Sequence, residues 1–142
     1  MIIRVAETDA EILACYPVMK ELRPQWERDP FLSQVRQQER AGYRLAYGEE
    51  SGDVVAVGGF RITENLAWGR FLYIDDLVVR PLVRSKGYGA ALLAWLKDYA
   101  LHSGCQQLHL DSGAQRLDAH RFYEREGMAK TGFHFALDLR VL

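Results

Sequence analysis

The sequence predicts an α/β (α+β) fold: a mixed, mostly antiparallel central sheet with helices on both faces. Three observations carry this. Six short segments read as strands and four longer ones as helices, in the order β-α-α-β-β-β-α-β-α-β. The hairpins come first and the crossover helices later, which places antiparallel pairing at the start of the sheet and covers both of its faces. The chain has 142 residues, the usual size of one domain, with no repeat, low-complexity tract or Ser/Gly/Pro-rich linker.

The elements follow in order. Residues 2–6 are a short apolar strand. Thr8-Asp9 then offers an N-cap, and Ile12, Leu13, Tyr16, Met19, Lys20 and Leu22 keep a mostly helical period until Pro24. Asp29-Pro30 opens a second helix over 30–41, with Gly42 behind it. Residues 43–47 and 54–62 form a hairpin around the turn Ser51-Gly52-Asp53. Residues 71–79 are the next strand. The strongest helix covers 85–103, where Tyr88, Ala91, Leu92, Trp95, Leu96, Tyr99 and Ala100 follow the i, i+3, i+4, i+7, i+8 rule and Gly104 stops it. A strand over 107–110 and a helix over 115–126 follow, closed by Gly127. From Thr131 onward Phe133, Phe135, Leu137, Leu139 and Val141 alternate with polar or small residues, which predicts a last strand over 131–142.

Composition removes several classes of function. Apolar residues make up 49% of the chain, ample for one core, and charged residues 26%. A net charge of -1 gives no footprint for nucleic acid, which usually demands a basic face. No stretch reaches the roughly 18 apolar residues of a membrane span, and no signal peptide is visible. Cys15 and Cys105 lie far apart and make no metal-type pair, and His102, His109 and His134 have no ligand spacing, so no metal is expected. These features fit reduced thiols and a cytoplasmic location.

The junction between strand 71–79 and the long helix carries chemistry. Gly87 and Gly89 fall in the predicted first turn of that helix, where each glycine costs about 1 kcal/mol relative to alanine. Two together suggest that something approaches the backbone closely. Unpaired N–H groups at a helix start attract anions. Arg80, Arg84 and Lys86 crowd the same positive end of the helix dipole, an unfavourable placement unless a polyanion sits there. The plainer alternative is a solvated basic loop whose glycines merely turn the chain. The spacing fits neither a nucleotide P-loop, G-x-x-x-x-G-K-[ST], nor a three-glycine Rossmann loop.

With these residues in view, the chain resembles the GNAT-type N-acetyltransferases. Arg84-x-x-Gly87-x-Gly89 matches the family's [Q/R]-x-x-G-x-[G/A] signature. Tyr73-Ile74-Asp75-Asp76-Leu77-Val78-Val79 is similar to the strand before it, and Ala119-x-x-Phe122-Tyr123-x-x-x-Gly127-Met128 to a later A-x-x-F-Y-x-x-x-G-F segment. All three stand in the family's order and spacing. The resemblance spans nearly the whole chain and is sharpest over 70–128. It implies one N-acetyltransferase domain over 1–142, acetyl-CoA as co-substrate, and acetyl transfer to a primary amine by direct attack. It also implies that the loop of Arg84, Ser85, Lys86, Gly87, Tyr88, Gly89 and Ala90 holds the coenzyme A pyrophosphate. Strand 71–79 would splay from strand 107–111 at a bulge. Pantetheine would then pair with the backbone of Leu77, Val78 and Val79, and a freed N–H near Leu77 or Val78 would polarise the thioester carbonyl. Two positions depart from the pattern. Arg116 stands where the family often has Asn, and Met128 replaces Phe.

Aminolysis of a thioester needs a neutral amine, a stabilised oxyanion and a proton for the leaving thiolate. The F-Y match carries the acid role onto Tyr123, since a phenol of pKa about 10 can donate to a thiolate whose thiol lies at about 8.5. The alternative for Tyr123 is a packed helix tyrosine. Asp75 and Asp76 are neighbours on a strand, so they point to opposite faces unless a bulge intervenes. One of them should face the cleft, to take the amine proton directly or through water, or to hold a cationic acceptor. A surface role remains open for both. His120 sits beside the motif and is either a second base or a helix-surface residue. The charge run 21–28 reads as a solvated helix end, while Trp26 and Phe31 near it are candidates to line the acceptor site. The acceptor itself is open between a small-molecule amine and a protein lysine or N-terminus. A catalytically silent acyl-CoA-binding sensor is the alternative to an enzyme, and the chain is expected to be a monomer or homodimer.

Overall fold

The computed structural model describes residues 1–84 and 86–141; Ser85 and Leu142 lie outside the described residues. The described residues group into two compact units, Met1–Leu110 and Asp111–Leu142. The first unit runs β1 (Ile2–Val5), α1 (Asp9–Leu22), α2 (Arg28–Glu39), β2 (Tyr43–Glu50), β3 (Asp53–Asn65), β4 (Gly69–Val79), α3 (Tyr88–His102) and β5 (Gln107–Leu110). A short 3-10 turn, Pro81–Val83, lies between β4 and α3. The second unit holds α4 (Leu117–Arg125) and a 3-10 turn at Leu139–Val141.

The sheet has strand order β1-β2-β3-β4-β5. The first three pairings are antiparallel and β4 pairs with β5 in parallel. The sheet is therefore mixed and mostly antiparallel, as the element order predicts. A tight hairpin joins β2 to β3, with Ser51 at φ 53° and Gly52 at φ 84°. Both central residues at positive φ match the twist of the flanking strands.

Local chemistry starts α1. The Thr8 side chain accepts from the Glu11 N–H at 3.1 Å, and Glu11 Oε1 accepts from the Thr8 N–H at 2.9 Å. This reciprocal box satisfies donors that the first turn leaves open. The helix buries Ile12, Cys15, Val18 and Met19. With Phe31 and Val35 of α2 they pack on Tyr43, Leu45, Tyr47 and Val57 of the sheet. Alternation along β3 turns Gly58 to the opposite face, where α3 lies close. A Cβ at Gly58 would stand 3.3 Å from Leu96 and 3.4 Å from Leu92. Helices thus cover both faces within this unit.

Three expectations need correction. The long helix starts at Tyr88 and not at 85, so Gly87 is its N-cap, at φ 81°, and only Gly89 lies inside the first turn. The second helix begins two residues early, at Arg28. The predicted strand over 131–142 has no ladder among the described residues; Phe133, Phe135, Leu137, Leu139 and Val141 are exposed. Alternation specifies two faces of a strand but supplies no partner, and an extended segment without one forms no sheet.

Candidate active site

The central feature is an irregularity in β4. Along the β3–β4 ladder Gly59 pairs with Asp76 and the next residue, Phe60, pairs with Ile74, so Asp75 is an extra residue on β4. Such a bulge breaks strict alternation and re-aims side chains. Asp75 and Asp76, which a regular strand would send to opposite faces, both line one cavity of about 400 Å³. The same point ends the pairing with β5, whose last partners are Ile74 and Leu110. Beyond it, Asp76, Leu77, Val78 and Val79 pair with β3 alone among the described residues.

The cavity wall is charged, aromatic and amide-bearing. Arg23, at the end of α1, donates from Nε to Asp76 Oδ1 at 2.8 Å and from Nη2 to the Asp75 carbonyl at 3.0 Å. Arg61 of β3 grips both Asp75 oxygens side-on, with Nε 3.1 Å from Oδ1 and Nη2 on Oδ2. The Tyr43 hydroxyl donates to Asp76 Oδ2 at 3.0 Å. Burial, then the Asp76 charge, push the Tyr43 phenol well above its ordinary value, so it stays a donor. Gly59 makes room for this contact: a Cβ there would stand 1.8 Å from the Tyr43 oxygen. Trp26, Phe31, Gln34 and Gln38 complete the wall.

Trp26 and Phe31, the sequence candidates for an acceptor site, line the same cavity as the aspartates. Arg23 overturns the picture of residues 21–28 as a merely solvated end, because it reaches back to Asp76. Tyr43 and Arg61 were not legible as site residues: a core tyrosine and a strand arginine have no spacing that ties them to Asp75-Asp76.

A wider and more open concavity of about 720 Å³ is lined by Val5, Arg36, Arg40, Arg44 and Tyr99, among others. Arg36 there is already held by Asp9 at 2.6 Å, Glu39 at 2.9 Å and the Glu7 carbonyl at 3.0 Å. Arg36 thus serves the fold, whereas the aspartate cavity coincides with the β4 bulge and the edge that β5 leaves unpaired, and it is the candidate site.

The start of α3 is the second feature. Gly87 brings no capping side chain, and open space surrounds the position of a Cβ. The first helical hydrogen bond runs from the Ala91 N–H to the Gly87 carbonyl at 3.0 Å. The N–H groups of Tyr88, Gly89 and Ala90 consequently have no partner inside the helix. Arg84 and Lys86 are exposed beside them. An oxyanion can approach this backbone closely, and the flanking cations favour it. Ser85, counted in the same loop by sequence, lies outside the described residues.

Tyr123 belongs to α4 in the second unit, where its ring lies 5.2 Å from that of Phe122. Burial raises its phenol above the ordinary value, opposed by the Arg116 charge, so the hydroxyl is protonated at neutral pH. His120 clasps the turn before α4 through Nε2 and the Gly113 carbonyl, 2.8 Å apart. That contact commits Nε2 to carrying the proton. No His/Cys/Asp/Glu group among the described residues has metal-binding geometry.

The family model described as Acetyltransferase (GNAT) family matches residues 6–128. The chain belongs to the GNAT acetyltransferase family. Two relatives bear on its chemistry. An uncharacterised N-acetyltransferase, YhdJ, of Bacillus subtilis strain 168 is 37% identical over 109 residues, 76% of this chain and 77% of that protein. An aminoalkylphosphonate N-acetyltransferase of Salmonella typhimurium strain LT2 is 34% identical over 124 residues, 87% of this chain and 79% of that protein. Among solved structures, the aminoglycoside N-acetyltransferase AAC(6')-Iy in complex with CoA superposes with a TM-score of 0.87 at 15% identity, covering 98% of this chain and 94% of that one. This GNAT protein is thus an acetyl-CoA-dependent N-acetyltransferase with the fold of its family.

Proposed function

We propose that this enzyme acetylates the primary amine of a small molecule bound in the cavity of Asp75 and Asp76, and that residues 1–142 act as one functional domain. The bulge at Asp75 carries the reading. A single extra residue turns both carboxylates into one cavity and frees the following backbone of β4 from β5. Acceptor and acyl donor would thereby meet at one point of the strand. The Salmonella relative's aminoalkylphosphonate substrate supports a small acceptor over a protein.

Acetyl-CoA supplies the activated acyl thioester when bound. The N–H groups of Tyr88, Gly89 and Ala90, with Arg84, Ser85, Lys86 and Gly87, would hold its pyrophosphate. The open edge of Leu77, Val78 and Val79 offers N–H and carbonyl groups to an extended ligand, as an added strand would use them. One of those N–H groups would stabilise the developing oxyanion. The carboxylates of Asp75 and Asp76 orient the attacking amine and accept its proton, directly or through water. Tyr123, protonated at neutral pH, donates to the departing thiolate.

The test is Tyr123→Phe. Removing only the hydroxyl should lower kcat by about 10²–10⁴, the usual weight of general acid catalysis, with acetyl-CoA affinity nearly unchanged. Turnover equal to wild type would remove Tyr123 as the acid.

A further inference from the structure

The charge pattern of the cavity narrows the acceptor further, given the reading above that this cavity holds the amine. Two guanidinium groups, Arg23 and Arg61, face two carboxylates, Asp75 and Asp76, within one wall. Formal charges therefore cancel. A polycationic acceptor would gain two carboxylates but meet two arginines, and a polyanion would meet the reverse. A molecule with one ammonium and one anionic group can exchange partners with the existing ion pairs and leave the balance at zero.

The geometry favours this exchange. Asp75 and Asp76 are largely shielded, with side chains 20% and 13% exposed, whereas Arg23 is 43% exposed. Its named contacts use Nε and Nη2, two of the five N–H donors of a guanidinium. The open part of that fork matches the paired oxygens of a carboxylate, phosphate or phosphonate. Arg61 is fixed side-on by Asp75 and stacks 5.9 Å from the Tyr43 ring, so it serves mainly to hold Asp75. Trp26 and Phe31 provide apolar wall for a short carbon linker, and the volume of about 400 Å³ lies in the range of small-ligand sites.

We infer that the acceptor is a compact zwitterion: a primary amine joined by a short chain to an anionic oxyacid group, the amine at Asp75 and Asp76 and the anion at Arg23. The oxyacid can be a carboxylate or a phosphonate, since the fork recognises both.

The experiment is an acceptor panel of closely matched chain length with a free-thiol readout: 3-aminopropanoate, 2-aminoethylphosphonate, propylamine and 1,3-diaminopropane, each with acetyl-CoA. At least one zwitterion should exceed propylamine in kcat/KM by tenfold or more, and the better of the two identifies the oxyacid. In Arg23→Gln that ratio should collapse toward one, and Arg23→Lys should restore part of it. Calorimetric titration of the two zwitterions against the protein alone reads binding separately, and wild type should bind at least one more tightly than Arg23→Gln does. Propylamine or the diamine acetylated as well as both zwitterions would overturn the inference and leave the acetyltransferase reading intact. Arg23-dependent zwitterion binding with no acetylation of any amine would uphold the cavity as a zwitterion site and overturn the proposed reaction there. Absence of both zwitterion binding and zwitterion preference would overturn the inference outright.

Discussion

Asp75 and Asp76 owe their joint position to single atoms around them. Gly59 leaves space for the Tyr43 hydroxyl, and that hydroxyl with Arg23 orients Asp76. Gly59→Ala should therefore destabilise the fold by about 1–3 kcal/mol, the usual cost of overpacking a dense site. Chemical denaturation would read this as a lower midpoint with an unchanged slope. Glu11 supplies a second prediction at this scale. Hydrogen bonds from the Thr8 and Glu7 N–H groups, with Tyr47, hold its carboxyl down to about 2 from an ordinary 4.5. A depressed folded value means stability that is present above pH 4.5 and lost as pH falls toward 2. Across that window the wild-type thermal midpoint should fall more steeply than that of Glu11→Gln; parallel curves would contradict the assignment. The residue scale is also where sequence reading stops short. Adjacency on a strand implies opposite faces for two aspartates unless a bulge intervenes; the family resemblance implies a bulge in this strand, but its place at Asp75 is a property of the β3–β4 register. Arg23 lies 53 positions from Asp76, and nothing in a polar run marks the one arginine that folds back.

Elements were more legible, because their signals are local. Thr8-Asp9 announces the N-cap of α1 and the 3.6-residue stripe announces α3, while the part of Glu11 in the reciprocal box shows only in the structure. The hairpin at 51–53 was equally plain, and it still holds a suboptimal residue. Ser51 adopts φ 53°, a conformation that asparagine tolerates better. Ser51→Asn should stabilise the protein by about 0.5 kcal/mol, seen as a higher denaturation midpoint; a lower midpoint would contradict the turn described here. The C-terminal segment shows the limit of local signals. Its alternation is as regular as that of any strand in the chain, yet pairing depends on a neighbouring edge that no local pattern encodes. The start of α3 differs for a related reason. Helical periodicity marks the apolar stripe, while the first residue depends on Gly87 taking a left-handed backbone ahead of it.

At the scale of the whole molecule, two candidate binding features lie on or next to one strand, β4. The helix start after β4 has the backbone and charge for a polyphosphate, and β4 itself carries the two carboxylates proposed to hold the acceptor. The helix start matters most, because the proposed acetyl transfer needs the donor held by residues 84–90. The direct measurement is the thermal midpoint of wild type and Gly87→Glu with and without coenzyme A. Ligand at 100 times its dissociation constant stabilises by about 2.7 kcal/mol, roughly 5–10 °C for a chain of this size. Wild type should rise by about that amount. Gly87→Glu, which places a carboxylate at the helix start, should fold and show no rise. A wild-type midpoint unmoved by millimolar coenzyme A, or an equal rise in the variant, would contradict the assignment of this loop.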